Sequence, residues 1–384
     1  MNFDTIINRK GSGCFKYDAL LQRYGKDELI PLWVADMDFA VAEPIQAALA
    51  QRLKHPIFGY NFAGEEFDDA VRHWQKTRYN WDTSASKVIM VPSLMTALAI
   101  TILTLSKPGD NILIQTPVYP PFHSTVKEHK RQLLTNALVN INGRYEINWL
   151  DFEAKIKQAR IFILCNPHNP VGRVFTQKEL KRMSDICAEN DVIIFSDEIH
   201  ADLVYTPHKH IPIASIRAER VISAISPAKS FNLAGLATGV LIVQDEELIH
   251  KITELNMSLH TFMGNSFGIR ALIAAYTRSA QWLDALKEYL KANRDYVAAF
   301  FAEHLPKVKM SPCEGTYLAW LDFREYGLSD DELMEIMRDK AGVALNPGPL
   351  FGSDGSGFMR LNFACPRSVL QTALLRIKEG FQEL

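Results

Sequence analysis

The sequence predicts an α/β protein: a three-layer α/β/α domain built on a mostly parallel sheet, with a smaller α+β domain. Between residues 87 and 244, short continuous apolar runs alternate with amphipathic helical patterns, which is typical of parallel strands covered by helices on both faces. After Pro306 the pattern changes to shorter strands and helices. We therefore predict an N-terminal arm that is part of the small domain (1–45), a large domain (46–280) and a small C-terminal domain (281–384).

The individual elements follow from periodicity in chain order. Residues 1–30 show no regular pattern and predict an irregular arm, followed by an extended apolar stretch over 31–39. Helices are predicted over 43–53, 65–79, 95–105, 121–129, 149–157, 177–189, most of 246–304, 330–340 and from about 367. Strands are predicted over 88–91, 111–115, 133–138, 161–165, 192–196, 221–225, 240–244, 316–322 and 357–362. The glycine-rich run 348–357 neither follows a long strand nor opens a helix, so it is predicted to be a turn rather than a nucleotide-binding loop.

The composition narrows the range of functions. A net charge of −2 without a long basic run offers no surface for a polyanion, so nucleic acid is not expected as a partner. Five scattered cysteines without a Cys-x-x-Cys spacing indicate a reducing compartment rather than a disulfide framework or a structural zinc. The N-terminus is too polar for a signal peptide, and no apolar run approaches the ~20 residues of a membrane span. We expect a cytoplasmic enzyme with no membrane partner.

Lys229 is the most informative single residue, because it stands just beyond a predicted buried strand. The apolar run 221–225 ends sharply at Ser226 and Pro227, which places Lys229 at the carboxyl end of a strand, where α/β proteins bind ligands. A lysine held among apolar neighbours loses hydration, which lowers its pKa and makes the amine a usable nucleophile and base. The alternative is a lysine whose amine reaches solvent. The Ser-x-x-Lys spacing is also found in acylases, but their partner tripeptides do not occur in this chain.

Polar residues follow two further predicted strands. The run Asn166-Pro167-His168-Asn169-Pro170 is predicted to be an extended, rigid turn, because proline disfavours helix at the residue before it. Asn169 is thereby fixed as a donor at a strand end. Asp197 closes the next strand, and a buried carboxylate is costly without a cation, so a ring nitrogen is one partner for it. The alternative is a metal site, whose ligands would be Asp197, His200, and either His208 or His210.

Three other positions complete the candidate site. Tyr119 stands on a proline-stiffened turn after a strand, where its ring can stack on a planar ligand or pack in the core. The turn that begins at Pro92 and Ser93 leads from a strand into a helix, and the free amides of such a turn suit a phosphate. Arg360 lies inside an otherwise apolar strand and needs an anion, for which a carboxylate is the natural bidentate partner.

Taken together, these residues resemble the site of pyridoxal-phosphate enzymes of fold type I, in the aminotransferase superfamily. More narrowly, the chain is similar to the MalY/PatB-type cystathionine β-lyases, which are carbon–sulfur lyases. The resemblance runs essentially from end to end. It rests on the sequences WVADMDF, FGY, TPVYPPF, LCNPHNPVGRV, SDEIHADL, SPAKSFNLAGL and FMRLNFACPRS.

The resemblance implies a role for each candidate residue. Lys229 would bind pyridoxal 5'-phosphate covalently and later move the Cα proton, and Asp197 would pair with the protonated pyridine nitrogen. Tyr60 would reach the active site of the neighbouring subunit in a homodimer and take part in catalysis and substrate binding. The further cofactor contacts implied are Ser93, Leu94, Met95, Tyr119, Asn169, His200 and Ser226. The substrate contacts implied are Trp33, Ala35, Tyr60, Asn169 and Arg360, with no metal.

Two departures from the broader aminotransferase pattern favour a lyase. His200 replaces the tyrosine usual three residues after the pyridine aspartate, and Ala237 replaces an arginine that neutralises the phosphate, which leaves open how that charge is balanced. The predicted reaction is cleavage of L-cystathionine and related S-substituted L-cysteines to a thiol, pyruvate and ammonia. The alternatives are an aminotransferase that uses the same groups, and a lyase that also acts as a protein-binding regulator.

Overall fold

A large seven-stranded sheet organises the chain. The structure, a computed structural model, describes residues 1–382. Its strands are β1 (Ile30–Pro31), β2 (Lys87–Val91), β3 (Asn111–Thr116), β4 (Gln132–Ala137), β5 (Val139–Ile141), β6 (Arg144–Glu146), β7 (Ala159–Cys165), β8 (Ile193–Asp197), β9 (Val221–Ile225), β10 (Gly239–Val243), β11 (Lys309–Met310), β12 (Leu318–Asp322), β13 (Val343–Ala344), β14 (Asn346–Pro347) and β15 (Phe358–Asn362).

Helices separate most of these strands. They are α1 (Phe15–Asp18), α2 (Leu20–Tyr24), α3 (Glu43–Leu53), α4 (Gly64–Tyr79), α5 (Leu94–Leu105), α6 (Pro120–Glu128), α7 (Trp149–Ile156), α8 (Gln177–Glu189), α9 (Pro227–Ser230), α10 (Glu246–Ser258), α11 (Ser266–Arg278), α12 (Ala280–His304), α13 (Asp330–Glu335) and α14 (Arg367–Gly380). Short 3₁₀ turns occupy 348–351 and 353–355. The glycine-rich run is therefore a pair of turns, as predicted.

The large sheet has the strand order β2-β10-β9-β8-β7-β3-β4. The pairs from β9 to β4 are all parallel, and β10 alone runs antiparallel to its two neighbours. Every residue of β8, β9 and β10 is buried, as expected for strands covered on both faces. Because the parallel strands point the same way, their carboxyl ends meet at one edge, and β10 begins at that same edge. The α/β class of the prediction is confirmed.

Two apolar layers cover this sheet. Helices α5, α6 and α10 form one layer, with side chains such as Leu98, Phe122 and Ile252 fully buried against the sheet. The opposite layer contains α4, α7, α8 and α11, and it is continuous with the core of the C-terminal region. Burial of this much apolar surface is the main favourable term in folding.

A second, four-stranded antiparallel sheet follows in the order β11-β12-β15-β14. The N-terminal arm is connected to this region, because β1 pairs in parallel with β13 through Ile30 and Val343. The predicted boundaries at 45/46 and 280/281 stay a prediction.

Several local predictions are wrong in detail. The arm contains the short helices α1 and α2, and the unpredicted hairpin β5–β6 follows β4. The helical region from 246 to 304 is three helices, because the side chain of Asn265 accepts a hydrogen bond from the Gly268 amide and starts α11 as a new helix. The predicted helix 330–340 changes after α13 into a π-helical turn over Ile336–Lys340. Among residues 1–382, no helix combines the length and apolar character that crossing a bilayer requires.

Candidate active site

A cavity of about 320 Å³ lies at the carboxyl ends of the parallel strands. Its wall contains most of the predicted site residues, and most of these stand at or just after the ends of strands of the large sheet. Those lining it are Ala35, Ser93, Leu94, Met95, Tyr119, Asn169, Asp197, His200, Ser226, Lys229 and Arg360. The structure therefore brings the strand-end side chains together, as the topology of a parallel sheet requires. Their individual roles stay predictions.

Lys229 projects into this cavity from α9, a single turn that Ser226 caps by accepting a hydrogen bond from the Ala228 amide. Its amine donates a hydrogen bond of 2.6 Å to the carbonyl of Ala35. Loss of hydration in the enclosed site lowers the pKa of the amine to about 8, with the nearby charge of Asp36 opposing that shift. About a tenth of an amine with this pKa is neutral at pH 7, several hundred times more than for an ordinary lysine, so Lys229 can accept a proton or attack a carbonyl carbon.

Asp197 ends β8 with its carboxylate turned to the cavity. The side chain is 5% exposed, and within the described chain its one hydrogen bond comes from the Ile199 amide at 3.0 Å. Burial raises the pKa of this carboxyl to about 7. A carboxylate so poorly compensated is suited to a cationic N–H that enters from the cavity.

Arg360 reaches the cavity from β15, where it is 4% exposed. It donates to the Trp33 carbonyl at 2.8 Å and to the Asn169 side chain at 3.1 Å. Its Nε has no partner within the described chain, and no described carboxylate pairs with it. Burial lowers the pKa of the guanidinium to about 10. A free donor on a buried guanidinium is what a carboxylate ligand would satisfy.

The loop that presents Asn169 is locked from several sides. The ring of His168 contacts the carbonyls of Pro117 and Cys165 at 2.8 and 3.2 Å. Gly172 has φ of +74°, and a Cβ there would lie 3.0 Å from the Cys313 backbone. Only glycine combines this conformation with so close an approach. Asn169 is consequently held in one position rather than carried on a free loop.

A helix N-terminus forms another part of the cavity wall. Helix α5 begins at Leu94, and Ser93 caps it by accepting from the Thr96 amide at 3.1 Å. The first amides of a helix have no partner within the helix and carry its positive end, so this wall suits a phosphate. Ser226 lies beside it, but its hydroxyl donates to the Thr238 carbonyl at 2.7 Å. It must exchange that bond before it can hold a phosphate.

His200 is buried and neutral. Burial, together with the positive charges of Lys229 and Arg360, holds its pKa well below the usual value, and its Nδ1 has no partner in the described chain. The ring therefore adds no positive charge to the phosphate wall. Ala237, where the broader pattern has an arginine, is exposed in a left-handed turn with φ of +43°, so it adds none either.

The alternative metal site is not assembled. His210 is turned to Glu198, 2.9 Å away, and His208 lies near Glu314. Residues 1–382 contain no group of three or more His, Cys, Asp and Glu side chains arranged to hold a metal ion.

Trp33 and Tyr60 lie outside the cavity wall. The Trp33 ring packs against Phe15 and Tyr24, and only its carbonyl contacts Arg360. Tyr60 is 94% exposed, so it has no role within its own protomer's cavity. Its predicted role in a neighbouring site stays a prediction.

Tyr317 was missed by the sequence analysis. Its hydroxyl donates to the Ala35 carbonyl at 2.8 Å, beside the Lys229 amine, and its ring lies edge-on to that of His200. The residue looks like an ordinary core aromatic in the sequence. Its one signal is a polar hydroxyl in a segment that is otherwise apolar.

The chain matches known proteins over nearly its whole length. The family model described as aminotransferase class I and II matches residues 28–377. Among curated proteins, the chain is similar to the cystathionine β-lyase PatB of Bacillus subtilis (strain 168), with 40% identity over 98% of this chain and 99% of that protein.

Two solved structures are similar throughout. One is a pyridoxal-phosphate-bound protein from Clostridium difficile 630 that is provisionally assigned as an aminotransferase, with 41% identity, a TM-score of 0.96 and 99% of each chain covered. The other is the pyridoxal-phosphate-bound C–S lyase from Staphylococcus hominis, with 33% identity, a TM-score of 0.93, and coverage of 100% of this chain and 98% of that one.

Proposed function

We propose that this chain, which belongs to the aminotransferase class I and II family, is a pyridoxal-phosphate-dependent carbon–sulfur lyase. Its substrates are L-cystathionine and related S-substituted L-cysteines, and its products are a thiol, pyruvate and ammonia. The observation that carries the proposal is that Lys229 and Arg360, whose Nε has no partner within the described chain, line one cavity. A base and a carboxylate clamp on the same small space suit an α-amino acid whose Cα proton is to be removed.

The cavity fits pyridoxal 5'-phosphate. The carboxylate of Asp197 has room for a pyridinium N–H, and the start of α5 at Leu94 provides amides for the phosphate. Tyr119 lies on the cavity wall, where its ring can stack on the cofactor. When bound through Lys229, the cofactor supplies an electron sink for the bonds at the substrate Cα. The positive end of α5 would help to balance the phosphate charge, to which neither Ala237 nor the neutral His200 contributes.

Arg360 binds and orients the substrate. Its guanidinium is fixed by the Trp33 carbonyl and the Asn169 side chain, so it is held in one orientation at the cavity wall. A carboxylate held there sets the position of Cα relative to Lys229, which is the positioning that catalysis needs.

Lys229 removes the proton at Cα, and its protonated amine can then supply a proton to the departing thiolate. With a pKa of about 8 its amine is a base of the right strength near neutral pH. Sulfur at Cβ favours elimination, because a thiolate is a good leaving group. The overall change is balanced: the Cβ–S bond breaks, the thiolate takes a proton, and water replaces the amino nitrogen, so that cystathionine and water give homocysteine, pyruvate and ammonia.

The similarity to PatB and to the C–S lyase from Staphylococcus hominis supports elimination over transamination. The test is to incubate the cofactor-loaded protein with L-cystathionine and no keto acid, following thiol and pyruvate together. Equal amounts of both, and neither in Lys229→Ala, are expected. Thiol without pyruvate, or equal rates in Lys229→Ala, would contradict the proposal.

The second candidate is an aminotransferase, which the family and the similarity to the protein from Clostridium difficile favour. Such an enzyme uses the same proton transfer but returns the proton to the cofactor instead of expelling a group from Cβ. This second candidate predicts that L-cystathionine alone gives no product, and that the amino acid is converted once a 2-oxo acid is added. Protein binding as a further role is tested by capture of partners with Lys229→Ala, which should still succeed if that role is independent of the chemistry.

We also propose a homodimer in which Tyr60 completes the partner's site. Four large apolar side chains, Ile57, Phe58, Tyr60 and Phe62, are between 55% and 94% exposed in one short segment, and such a patch is typical of an interface. Sedimentation should give twice the 43.5 kDa of the chain. A monomer, or a Tyr60→Phe variant with unchanged kcat/KM, would contradict this assignment.

All five cysteines are free thiols, four of them buried. This supports a reducing compartment, such as the cytoplasm, as the place where the protein works. Fractionation of the cells that produce it, with a thiol-alkylation assay of the isolated protein, tests the proposal.

A further inference from the structure

Four charged side chains of the N-terminal arm form a compact group behind the cavity. Lys16 is completely buried, with its amine 2.8 Å from Asp38 and 3.5 Å from Asp36. Arg9 contacts the same two carboxylates, each at 2.6 Å. We call Arg9, Lys16, Asp36 and Asp38 the arm cluster. Burying a lysine completely is costly, so a pair of this kind is retained only where its geometry is fixed and its charges are compensated.

The arm cluster fixes the backbone that contacts both catalytic groups. The carbonyl of Ala35 accepts the hydrogen bond from the Lys229 amine, and the carbonyl of Trp33 accepts that from Arg360. Asp36 is the next residue after Ala35. The charge of its carboxylate acts on the Lys229 amine, and that carboxylate is held by Arg9 and Lys16.

Further side chains tie down the same segment. Asn362 donates to the carbonyls of Val34 and Asp36, at 2.6 Å each. Asn232 exchanges hydrogen bonds with the backbone of Met37 at 2.9 and 3.1 Å. These bonds come from the C-terminal sheet and from the loop after α9, so the segment is a joint between the two regions that supply Arg360 and Lys229.

We propose that Lys16 and Arg9 are positioning residues: by neutralising Asp36 and Asp38 they hold the Ala35 carbonyl against Lys229 and keep the charge of Asp36 balanced beside it. The inference rests on the proposed role of Lys229 in covalent catalysis. The other charged or titratable groups that face Lys229 are Asp197 and His200 beyond β8, Arg360 on β15, and Tyr119 and Tyr317.

The proposal predicts opposite effects for the two signs of charge. Removal of the positive charge in Lys16→Met leaves Asp36 less neutralised, which favours the protonated nitrogen of Lys229. Removal of the negative charge in Asp36→Asn favours the neutral nitrogen. The titration midpoint of Lys229 should shift on the order of 0.5–1 pH unit in each direction, because one unit charge acts across several ångströms of protein. If the substitutions only loosened the site, water would enter in both variants and the midpoint would rise in both.

The first measurement is the pH titration of the cofactor absorbance of the holoenzyme, which reports proton binding at the nitrogen of Lys229. The second is the labelling of Lys229 by an amine-reactive reagent as a function of pH in the cofactor-free chain, read by mass spectrometry. The matched control is Lys10→Met. Lys10 lies on the same arm and pairs at 3.4 Å with Asp27, but both are more than half exposed. The titration midpoint of Lys229 in Lys10→Met should therefore equal that of the wild type.

Upward and downward shifts for Lys16→Met and Asp36→Asn, with Lys10→Met unchanged, support the proposal. Shifts of the same sign, or none beyond the control, overturn it. If Lys16→Met does not fold, the double variant Lys16→Met/Asp38→Asn, which loses one charge of each sign, takes its place as the reference protein. Adding Asp36→Asn to this double variant should still lower the titration midpoint. Labelling needs no turnover, so the proposed function and this inference can fail separately. A wild-type protein without lyase activity, whose variants still shift the labelling midpoint in the expected directions, would refute the proposed function and leave this inference standing.

Discussion

Two aspartates five residues apart, Asp197 and Asp202, lie at the end of β8 in opposite surroundings. The carboxylate of Asp202 accepts from Trp74 at 3.0 Å, from Ser230 at 2.7 Å, and from the Tyr79 hydroxyl. The carboxylate of Asp197 has one hydrogen bond, from a backbone amide, and a raised pKa. Asp197 is buried and Asp202 half-buried, but only Asp202 is compensated by its own chain.

The comparison shows how a site differs from a structural network. Asp202 ties α4 to α9, the turn that carries Lys229, so its three donors stabilise the fold that presents the lysine. Asp197 costs the fold free energy until a ligand compensates it. The same reasoning applies to the free Nε of Arg360 and to Nδ1 of His200. The groups proposed to be functional are those that have a hydrogen-bond donor or acceptor without a partner in the described chain.

The largest expected effect concerns the carboxylate of Asp197, which has no charged partner in the described chain. In Asp197→Asn the cofactor loses its charged partner, and because breaking a buried ion pair costs ~3 kcal/mol or more, cofactor affinity should fall on the order of 100-fold. Titration of the cofactor-free chain with pyridoxal phosphate, followed by absorbance, measures this. Asp202→Asn serves as the control and should keep its affinity. Equal losses in both variants would remove the distinction between the two aspartates.

The second effect concerns Arg360. Replacement by lysine keeps the charge but loses the planar fork, so kcat/KM should fall by about 10–100-fold through substrate binding, with the cofactor absorbance unchanged. Arg324→Lys is a matched control, because Arg324 forms its ion pair with Asp322 at the protein surface. An Arg360→Lys enzyme with wild-type KM would show that the carboxylate is bound elsewhere.

The third effect concerns stability. Asp202→Asn replaces one acceptor oxygen by an amide N–H₂, so at least one of the three donors loses its acceptor and the free energy of unfolding should drop by about 1–3 kcal/mol. Urea denaturation of the cofactor-free chain measures it, and Asp284→Asn, at an exposed ion pair with Arg78, should cost less than about 1 kcal/mol. An unchanged midpoint for Asp202→Asn would mean that its three donors contribute little.

The fourth effect is a pH dependence. The pKa of Asp197 rises from an ordinary 3.8 to about 7 on folding, so between these values the folded chain holds more protons than the unfolded chain. By linkage this group makes the cofactor-free protein less stable as pH rises from about 4 to 7. Denaturation at pH 5, 6 and 7 should show this slope flattened in Asp197→Asn. Parallel slopes for the two proteins would refute the assignment.

The strand-end half of the site could be predicted from the sequence, because buried strands and the polar residues after them are local patterns. Lys229, Asp197, Asn169 and Tyr119 were found in this way and lie on one cavity. The half contributed by the arm could not be predicted in detail. Lys16 looks like any surface lysine in the sequence, and its burial depends on an ion pair with Asp38 across the fold.

Long-range packing also decides contacts that the sequence does not show. The Trp33 ring, predicted to contact the substrate, packs against Phe15 and Tyr24. The carbonyl of Ala35, another predicted substrate contact, accepts hydrogen bonds from Lys229 and Tyr317. No local pattern in the sequence gives these contacts, and the predicted substrate contacts stay predictions.

The parallel pairing of β1 with β13 has a consequence for synthesis of the protein on the ribosome. The arm emerges first, but its strand partner at Val343 and the arginine at 360 emerge last. The large sheet, complete by Val243, can form while the arm is still hydrated. We expect the nascent chain to gain the lysine side of its cavity long before the arginine side, and so to stay inactive until release. Stalled chains ending near residue 304 that already turned over substrate would contradict this order of events.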